Sequence, residues 1–187
     1  MGEFRLAGPT LKFPESVLIP SAAVGMLVGG WLHTAGTSLA GGMGVLAGLA
    51  LWTLAEYLLH RFILHGIDPF RSWHLEHHRH PEVPMRTPVM FSVLLVLTLA
   101  GMPLFLWSDR GQALALSCGL MLGHVVQEVV HYRLHWAEPC GKVWLAARWR
   151  HHDFHHHADD GLAFGTLSAV WDRLLGTQPS RRAMLHR

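Results

Sequence analysis

Charged residues are scarce in this chain and absent from three long stretches of it. Asp, Glu, Lys and Arg make up 15% of the 187 residues, whereas 50% of the residues are hydrophobic. None of the four charged types occurs in 16–55, 87–108 or 111–127. Because a bilayer core is crossed by about 20 apolar residues in helical form, these stretches predict membrane-spanning helices.

Cysteine and a large net charge are also lacking. The two cysteines, Cys118 and Cys140, provide no disulfide framework. The net charge of +2 is explained by basic residues at the inner face of a membrane, so we expect no nucleic-acid partner. The sequence shows no internal repeat, and its length suits one domain. We therefore expect residues 1–187 to form a single membrane domain.

The uncharged stretches divide into four candidate spans. The first stretch is too long for one helix, and the polar segment HTAGTS at 33–38 interrupts it. Spans are therefore predicted near 17–33, 39–60, 88–107 and 112–131. The predicted fold class is an all-α integral membrane protein with four transmembrane helices and a cytoplasmic helical cap.

The distribution of Lys and Arg predicts the orientation of these spans. Of the 15 basic residues, all except Arg110 lie on the side that holds both termini. The positive-inside rule therefore places both termini in the cytoplasm. A cleaved signal peptide within residues 1–35 is the alternative for the first span, but Glu3 and Glu15 in the N-terminal arm disfavour it.

Histidine is abundant, and its placement is not random. The chain has 16 histidines, and all but two, His33 and His124, fall on the cytoplasmic side of the predicted topology. Clusters of ionisable residues at a membrane are usually functional. Four clusters together contain ten histidines: His60 and His65; His74, His77 and His78; His131 and His135; His152, His155 and His156.

The spacing within these clusters is typical of metal chelation by helices. Residues three and four apart share one helix face, so H-x-x-H-H presents three imidazoles together and H-x-x-x-H presents two. His60 and His65 are five apart, which requires the helix to end or loosen between them. All four clusters reach the same membrane face, where an amphipathic helix over about 141–157 contributes to the cap. Ten imidazoles are enough to give two metal ions five nitrogen ligands each.

Five motifs resemble the fatty acid hydroxylase and sterol desaturase superfamily of membrane di-iron oxygenases. The resemblance covers roughly residues 45–177, and its tail, F-G-x-x-S followed by W-D-x-x-x-G-T, resembles the acyl 2-hydroxylase branch. The motifs are EYLLHRFILHG (56–66), HLEHHRHP (74–81), HYRLHW (131–136), RHHDFHHH (150–157) and FGTLSAVWDRLLGT (164–177).

The resemblance implies a function for the whole cluster. It assigns the ten clustered histidines as ligands of two iron ions, with zinc as the alternative metal in a purified preparation, and O2 as co-substrate. The expected reaction is hydroxylation of a C–H bond in a lipid acyl chain that enters from the bilayer. About sixteen residues precede the first span, so electrons are expected from a separate cytochrome b5-like or ferredoxin-like protein.

Carboxylates near the ligands are candidates to orient the imidazoles. A ligating histidine usually donates its second ring N–H to such a group. An interfacial charge beside Arg61 is the alternative for Glu56. His151 and His157 flank the last cluster as outer donors or interfacial residues, and Asp172 either anchors the tail or is a solvated loop carboxylate. The carboxylate candidates within four residues of a ligand are Glu56, Glu76, Glu128 and Asp153.

Other functions remain open at this point. A carotenoid or sterol-like substrate is the nearest alternative within the superfamily. A zinc transporter would need ionisable groups at mid-membrane, and His124 is the main polar residue there. A zinc-binding membrane scaffold is the third alternative, although a structural zinc site usually needs only four ligands.

Overall fold

The computed structural model describes residues 15–34, 38–81, 89–136 and 143–185, and these residues form helices joined by turns, without a β-strand. The all-α prediction is thus confirmed for this part of the chain. Residues 1–14, on which the signal-peptide alternative depends, lie outside the described residues. A π-helical turn, Leu59–Leu64, directly follows the helix Leu39–Leu58. The helices are α1 (Glu15–Thr34), α2 (Leu39–Leu58), α3 (Phe70–Arg79), α4 (Val89–Leu106), α5 (Arg110–Trp136), α6 (Val143–His157), α7 (Val170–Leu174) and α8 (Arg181–Leu185).

Two of the helical segments are long and apolar enough to cross a membrane. They are Leu39–Leu64, which is α2 with its π turn, and Arg110–Trp136, which is α5. Two shorter apolar helices, Leu18–Thr34 and Val93–Leu106, coincide with the other predicted spans. The predicted fourth span ends at residue 131, whereas α5 continues to Trp136. This extension keeps His131 and His135 on one continuous helix.

Helices α2 and α5 are in close contact through small residues. A Cβ atom on Gly48 would collide with the Leu116 carbonyl oxygen, and one on Gly119 would collide with the Val45 carbonyl oxygen. Glycines spaced four apart let two helix backbones approach closely, as in membrane helix pairs. The absence of side chains at these positions therefore sets the distance between the two helices.

The same contacts show that α2 and α5 run parallel. A Cβ on Gly44 would lie 2.9 Å from the Ala115 Cβ, and one on Gly123 would lie 2.6 Å from the Trp52 Cβ. The paired residues keep a constant separation along the chain, as only parallel helices allow. His60 and His131 have the same separation, so the helix pair brings both to one end of the bundle.

The remaining long helices pack around α5. Both α1 and α4 contact it, and α4 is tied to it by the Ser117 hydroxyl, which donates to the Ala100 carbonyl at 3.1 Å. The core between these helices contains Leu27, Trp52, Leu95 and Met121. This packing makes α5 the central helix of the described bundle.

Gly48→Ala is expected to destabilise the protein, whereas Gly42→Ala in the same helix is not. Alanine is about 1 kcal/mol more favourable than glycine inside a helix, and a Cβ on Gly42 meets nothing within 4 Å. At Gly48 the collision with α5 outweighs that gain. The measurement is the thermal unfolding midpoint in detergent, and we expect Gly48→Ala to lower it by several degrees, about 2–4 °C per kcal/mol lost. Equal midpoints for the two variants would contradict the close approach of α2 and α5.

Candidate metal centre

The π turn brings the first two histidines together. The His65 backbone N–H donates to the His60 carbonyl at 3.1 Å, a bond across five residues, and the two ring centroids lie 5.1 Å apart. Such turns are rare and are frequent at functional sites. The predicted loosening of the helix between His60 and His65 is confirmed. The residue after His65 is Gly66, and a side chain at this position would collide with the Phe62 carbonyl oxygen.

The other clusters lie on regular helices, as their spacing predicts. The H-x-x-H-H of α3 and the H-x-x-H-H of α6 face each other, and the rings of His78 and His156 stack at 4.1 Å between centroids. His131 and His135 lie one turn apart at the end of α5, with ring centroids 4.9 Å apart. Three separate helices and the π turn thus contribute imidazoles to one buried space.

Nine of the ten histidines selected from the sequence form two groups. Within each group the candidate ligand atoms lie within 4.8 Å of one another. His152 adjoins the second group, since its Nε2 lies 3.0 Å from the His135 Nε2. The first histidine group contains His60, His65, His74, His78 and His155, and the second contains His77, His131, His135 and His156.

The nitrogen separations suit ligands that share a metal ion. The Nε2 atoms of His60 and His74 are 2.9 Å apart, and those of His74 and His78 are 3.1 Å apart. In the second group, the Nε2 atoms of His131 and His135 are also 3.1 Å apart. With imidazole–metal bonds of about 2.1 Å, two ligands at right angles have nitrogens about 3.0 Å apart. The spacing in both groups therefore fits metal coordination.

Two backbone carbonyls set the tautomers of two histidines in the first group. The His60 Nδ1–H donates to the Phe164 carbonyl at 2.6 Å, and the His155 Nδ1–H donates to the Leu162 carbonyl at 2.7 Å. In a neutral imidazole the other nitrogen is then an acceptor. The Nε2 lone pairs of both rings are thus available to a metal, because a hydrogen bond at one ring nitrogen fixes the tautomer of a ligating histidine.

Burial keeps the clustered imidazoles neutral. It lowers the pKa of His77 to about 3, and the nearby His135 adds to this effect. Burial also lowers the pKa of His78 to about 3, with neighbouring imidazoles contributing further. The pKa values of His74, His152 and His155 lie well below the usual histidine value for the same reasons. Neutral imidazoles are the form that binds a metal.

Unpartnered nitrogens in the groups support the same interpretation. Both ring nitrogens of His156 are buried and have no hydrogen-bond partner among the described residues. A buried polar atom without a partner costs free energy, and a metal bond to one nitrogen removes part of that cost. Imidazole donors suit Zn, Cu, Fe and Ni. The residues present therefore fit a pair of metal ions, each surrounded by up to five imidazoles.

Glu56, one of the carboxylates expected beside the histidines, accepts from two backbone amides of the tail. Glu56 is only 5% exposed, and its carboxylate accepts from the backbone N–H groups of Thr166 and Leu167. An interfacial charge beside Arg61 is therefore excluded for Glu56. Arg61 donates instead to the Tyr57 hydroxyl at 2.7 Å.

The other outer candidates lie nearer the surface. Glu76 is exposed and pairs with Arg79 and His80. His157 is half-exposed and pairs with Asp153 at 3.1 Å, outside both histidine groups. Glu128 is half-buried, one turn before His131 on α5. The role of Glu76, Glu128 and Asp153 as partners of the ligands stays a prediction, whereas the half-exposed position of His157 favours the interfacial alternative for that residue.

Asp172 is buried, so a solvated loop carboxylate is the wrong interpretation. Its exposure is 0%, and it accepts hydrogen bonds from His151, Thr177 and the amides of Phe164 and Gly165. Burial by itself raises the pKa of this carboxyl, but the hydrogen bonds outweigh burial, and the pKa lies below the usual aspartate value. His151 is therefore a partner of Asp172.

One neighbour of the first group has no clear signal in the sequence. The Asp160 Oδ2 lies 3.9 Å from the His65 Nδ1. Burial lowers the pKa of His65, and Asp160 opposes this effect. Asp160 follows the last cluster in the chain, yet it approaches the first, and only the folded tail brings them together.

These features define a helical protein with a histidine-lined candidate metal centre at the adjoining ends of two membrane-length helices. The sequence profile of the fatty acid hydroxylase family matches residues 45–177, and the chain belongs to this family. The predicted resemblance is thus confirmed.

Several relatives of the chain are known. It is 31% and 34% identical to two dihydroceramide fatty acyl 2-hydroxylases of Arabidopsis thaliana, with 76% and 74% of this chain aligned. It spans 63% and 62% of the length of those relatives. It is 32% identical to the fatty acid 2-hydroxylase of Homo sapiens, over 67% of this chain and 36% of that protein.

A solved structure shares the fold. Full-length scs7p, in which only the hydroxylase domain is visible, superposes with a TM-score of 0.74 at 23% sequence identity. The match covers 89% of this chain and 67% of the solved chain. The arrangement of helices described above is therefore also that of a solved structure.

Glu56→Leu is expected to destabilise the fold, whereas Glu56→Gln is expected to be milder. Leucine leaves the buried amides of Thr166 and Leu167 without an acceptor, at a cost of about 1–3 kcal/mol for each. Glutamine keeps one acceptor oxygen, and a single Glu56 oxygen accepts from both amides. The measurement is the unfolding midpoint in detergent. Glu76→Leu is the control, since an exposed ion pair contributes at most about 1 kcal/mol, and an equal loss for Glu56→Leu and Glu76→Leu would argue against the buried role of Glu56.

Proposed function

We propose that the protein is an integral-membrane, di-iron, O2-dependent monooxygenase that hydroxylates a C–H bond of a lipid acyl chain. One observation carries this proposal, namely the convergence of ten imidazoles, nine of them in two groups and His152 beside the second, with ligand-like nitrogen separations. The names of the relatives support the acyl substrate, because they are acyl and fatty acid 2-hydroxylases.

The ten histidines are proposed as the metal ligands. The first histidine group would hold one iron, and the second group together with His152 would hold the other. When bound, the iron pair supplies the activation of dioxygen that amino-acid side chains cannot provide. Three helices and a π turn position the imidazoles that would hold the ions, and hydrogen bonds to backbone carbonyls orient two of these rings.

The surfaces of α2 and α5 suit a substrate that arrives from the bilayer. Leu58 and Phe62 on the α2 segment, and Val126 and Val129 on α5, are exposed and apolar within about one and a half turns of His60 or His131. Apolar side chains exposed at these positions are compatible with lipid contact. An acyl chain lying along this surface reaches the histidines without crossing water.

The proposed topology has four transmembrane helices, with both termini and the metal centre in the cytoplasm. Parallel α2 and α5 support it, because two spans of the same direction require a return crossing by α4 between them. The distribution of Lys and Arg supports the orientation. We further propose that residues 1–187 form one domain and receive electrons from a separate cytochrome b5-like or ferredoxin-like protein.

Metal content tests the centre directly. Protein expressed in iron-rich medium and purified in detergent is expected to contain two irons per chain, and His155→Ala is expected to lose at least one of them, because His155 is buried in the first group. His157→Ala is the matched control, since His157 lies in the same histidine run but is half-exposed and outside both groups. Metal analysis and Mössbauer spectroscopy give the result.

Other metal contents would favour the other functions. A single zinc, unchanged by His155→Ala, would indicate a zinc-binding scaffold. Zinc flux across vesicles, with no stable iron, would indicate a transporter.

Lipid analysis tests the reaction. Cells that express the protein are expected to accumulate 2-hydroxylated acyl chains, and the His155→Ala variant is expected to abolish this product because the first group is then incomplete. The measurement is mass spectrometry of hydrolysed lipids, with His157→Ala as the control that retains product. Hydroxylated carotenoids or sterols without hydroxylated acyl chains would contradict the acyl assignment while leaving the metal centre intact.

A further inference from the structure

The loop formed by residues 162–167 connects two buried carboxylates with the first histidine group. Asp172 and Glu56 accept from four consecutive backbone amides of this loop, those of residues 164–167. Two carboxylates are expensive to bury unless hydrogen bonds compensate them. The four amides provide this compensation, so the loop and the two carboxylates form one hydrogen-bonded unit.

A fifth amide of the loop, that of Ala163, is also held. The Ala163 N–H donates to the Thr177 carbonyl at 2.9 Å, and Ala163 has a φ of 62°. This left-handed conformation is uncommon for a residue other than glycine and is sustained only when the surroundings enforce it. The hydrogen bonds on either side provide that enforcement.

The carbonyl groups flanking Ala163 point to the histidines. The Phe164 carbonyl accepts from His60 at 2.6 Å, and the Leu162 carbonyl accepts from His155 at 2.7 Å. Both histidines belong to the first group. The loop thus has its amides bound to the carboxylates and two of its carbonyls bound to proposed ligands.

A chain of hydrogen bonds links Asp172 back to the α2 segment. The Thr177 hydroxyl donates to the Asp172 Oδ1 at 2.8 Å, and the Tyr57 hydroxyl lies 3.0 Å from the Thr177 Oγ1. Arg61, next to His60, donates to the Tyr57 hydroxyl at 2.7 Å. Asp172 is therefore connected to the segment that carries His60 by two routes.

We propose that Asp172 is a positioning residue for the first histidine group, acting through the 162–167 loop to hold the Nε2 lone pairs of His60 and His155 toward one of the two metals. This inference rests on the proposed metal centre, but its tautomer component concerns the metal-free protein as well. The group containing His77 and His131 is not served by these carbonyls. Loss of the Asp172 bonds is therefore expected to affect the two metals unequally.

The test compares Asp172→Asn with Asp159→Asn. Asparagine at 172 cannot accept through its amide nitrogen, so either the Gly165 amide or the Phe164 amide loses its acceptor. The Asp159 side chain also accepts from a backbone amide, that of Gly161 just before the loop. It is exposed, however, and it does not bind the amides of the residues whose carbonyls orient His60 and His155. Thr177→Val, which removes one donor to Asp172, is a milder second variant if Asp172→Asn does not fold.

Two readouts separate positioning from folding. In metal-free protein, ¹⁵N NMR of the imidazoles is expected to show the Nδ1–H tautomer for His60 and His155, and Asp172→Asn is expected to shift both toward a mixture. In iron-loaded protein, one of two Mössbauer doublets is expected to change, with iron affinity at that site falling about 10- to 100-fold, as for other outer-shell partners. The unfolding midpoint confirms that each variant is folded.

The outcomes are distinguishable. Unchanged tautomers in a folded Asp172→Asn variant, or the same change in Asp159→Asn, would overturn the positioning role. Equal weakening of both irons would overturn its selectivity for the first group. If wild-type protein binds no iron while the tautomers respond as expected, the di-iron function fails and the hydrogen-bond role of Asp172 stands.

Discussion

The structure depends on the convergence of ten imidazoles, five of them buried and five half-buried, at one end of the helix pair. A histidine in water is free to gain a proton near neutral pH, but burial among other imidazoles lowers the pKa of members such as His77 and His78 to about 3. Neutral rings still have two tautomers, so their lone pairs must be directed by other hydrogen bonds. The Phe164 and Leu162 carbonyls provide that direction for His60 and His155.

The parallel pair of α2 and α5 supplies the platform for this arrangement. Small residues at Gly48 and Gly119 allow the two backbones to touch, and their common direction brings both histidine-bearing ends together. The π turn then gives α2 a second histidine on the same side, since His65 bonds back to His60 across five residues. The packing of α2 against α5, together with the π turn, thus determines where His60, His65 and His131 lie.

The tail after α6 completes the first histidine group through contacts with His60 and His155. Asp172 and Glu56 hold the 162–167 loop by its amides, which leaves its carbonyls free to orient the rings. Trp171 also donates to the Thr53 hydroxyl at 3.0 Å, which attaches the tail to α2. A buried carboxylate satisfied in this way acts as part of the framework, and its effect reaches the histidines only through the backbone between them.

The sequence by itself determined the helical class, the family and the membership of the histidine cluster. The helical class and the spacing within each histidine cluster depend on local periodicity, since residues three and four apart share a helix face, whereas the family follows from the resemblance carried by the five motifs. The partition into two groups, the burial of Asp172 and the bonds from Glu56 to Thr166 and Leu167 were decided only by tertiary structure. They join residues far apart in the chain, and the identity of a carboxylate does not reveal which distant amide it will meet. Glu56 lies one helical turn before His60 in the sequence, but its carboxylate accepts from the amides of Thr166 and Leu167, which only the folded tail places beside it.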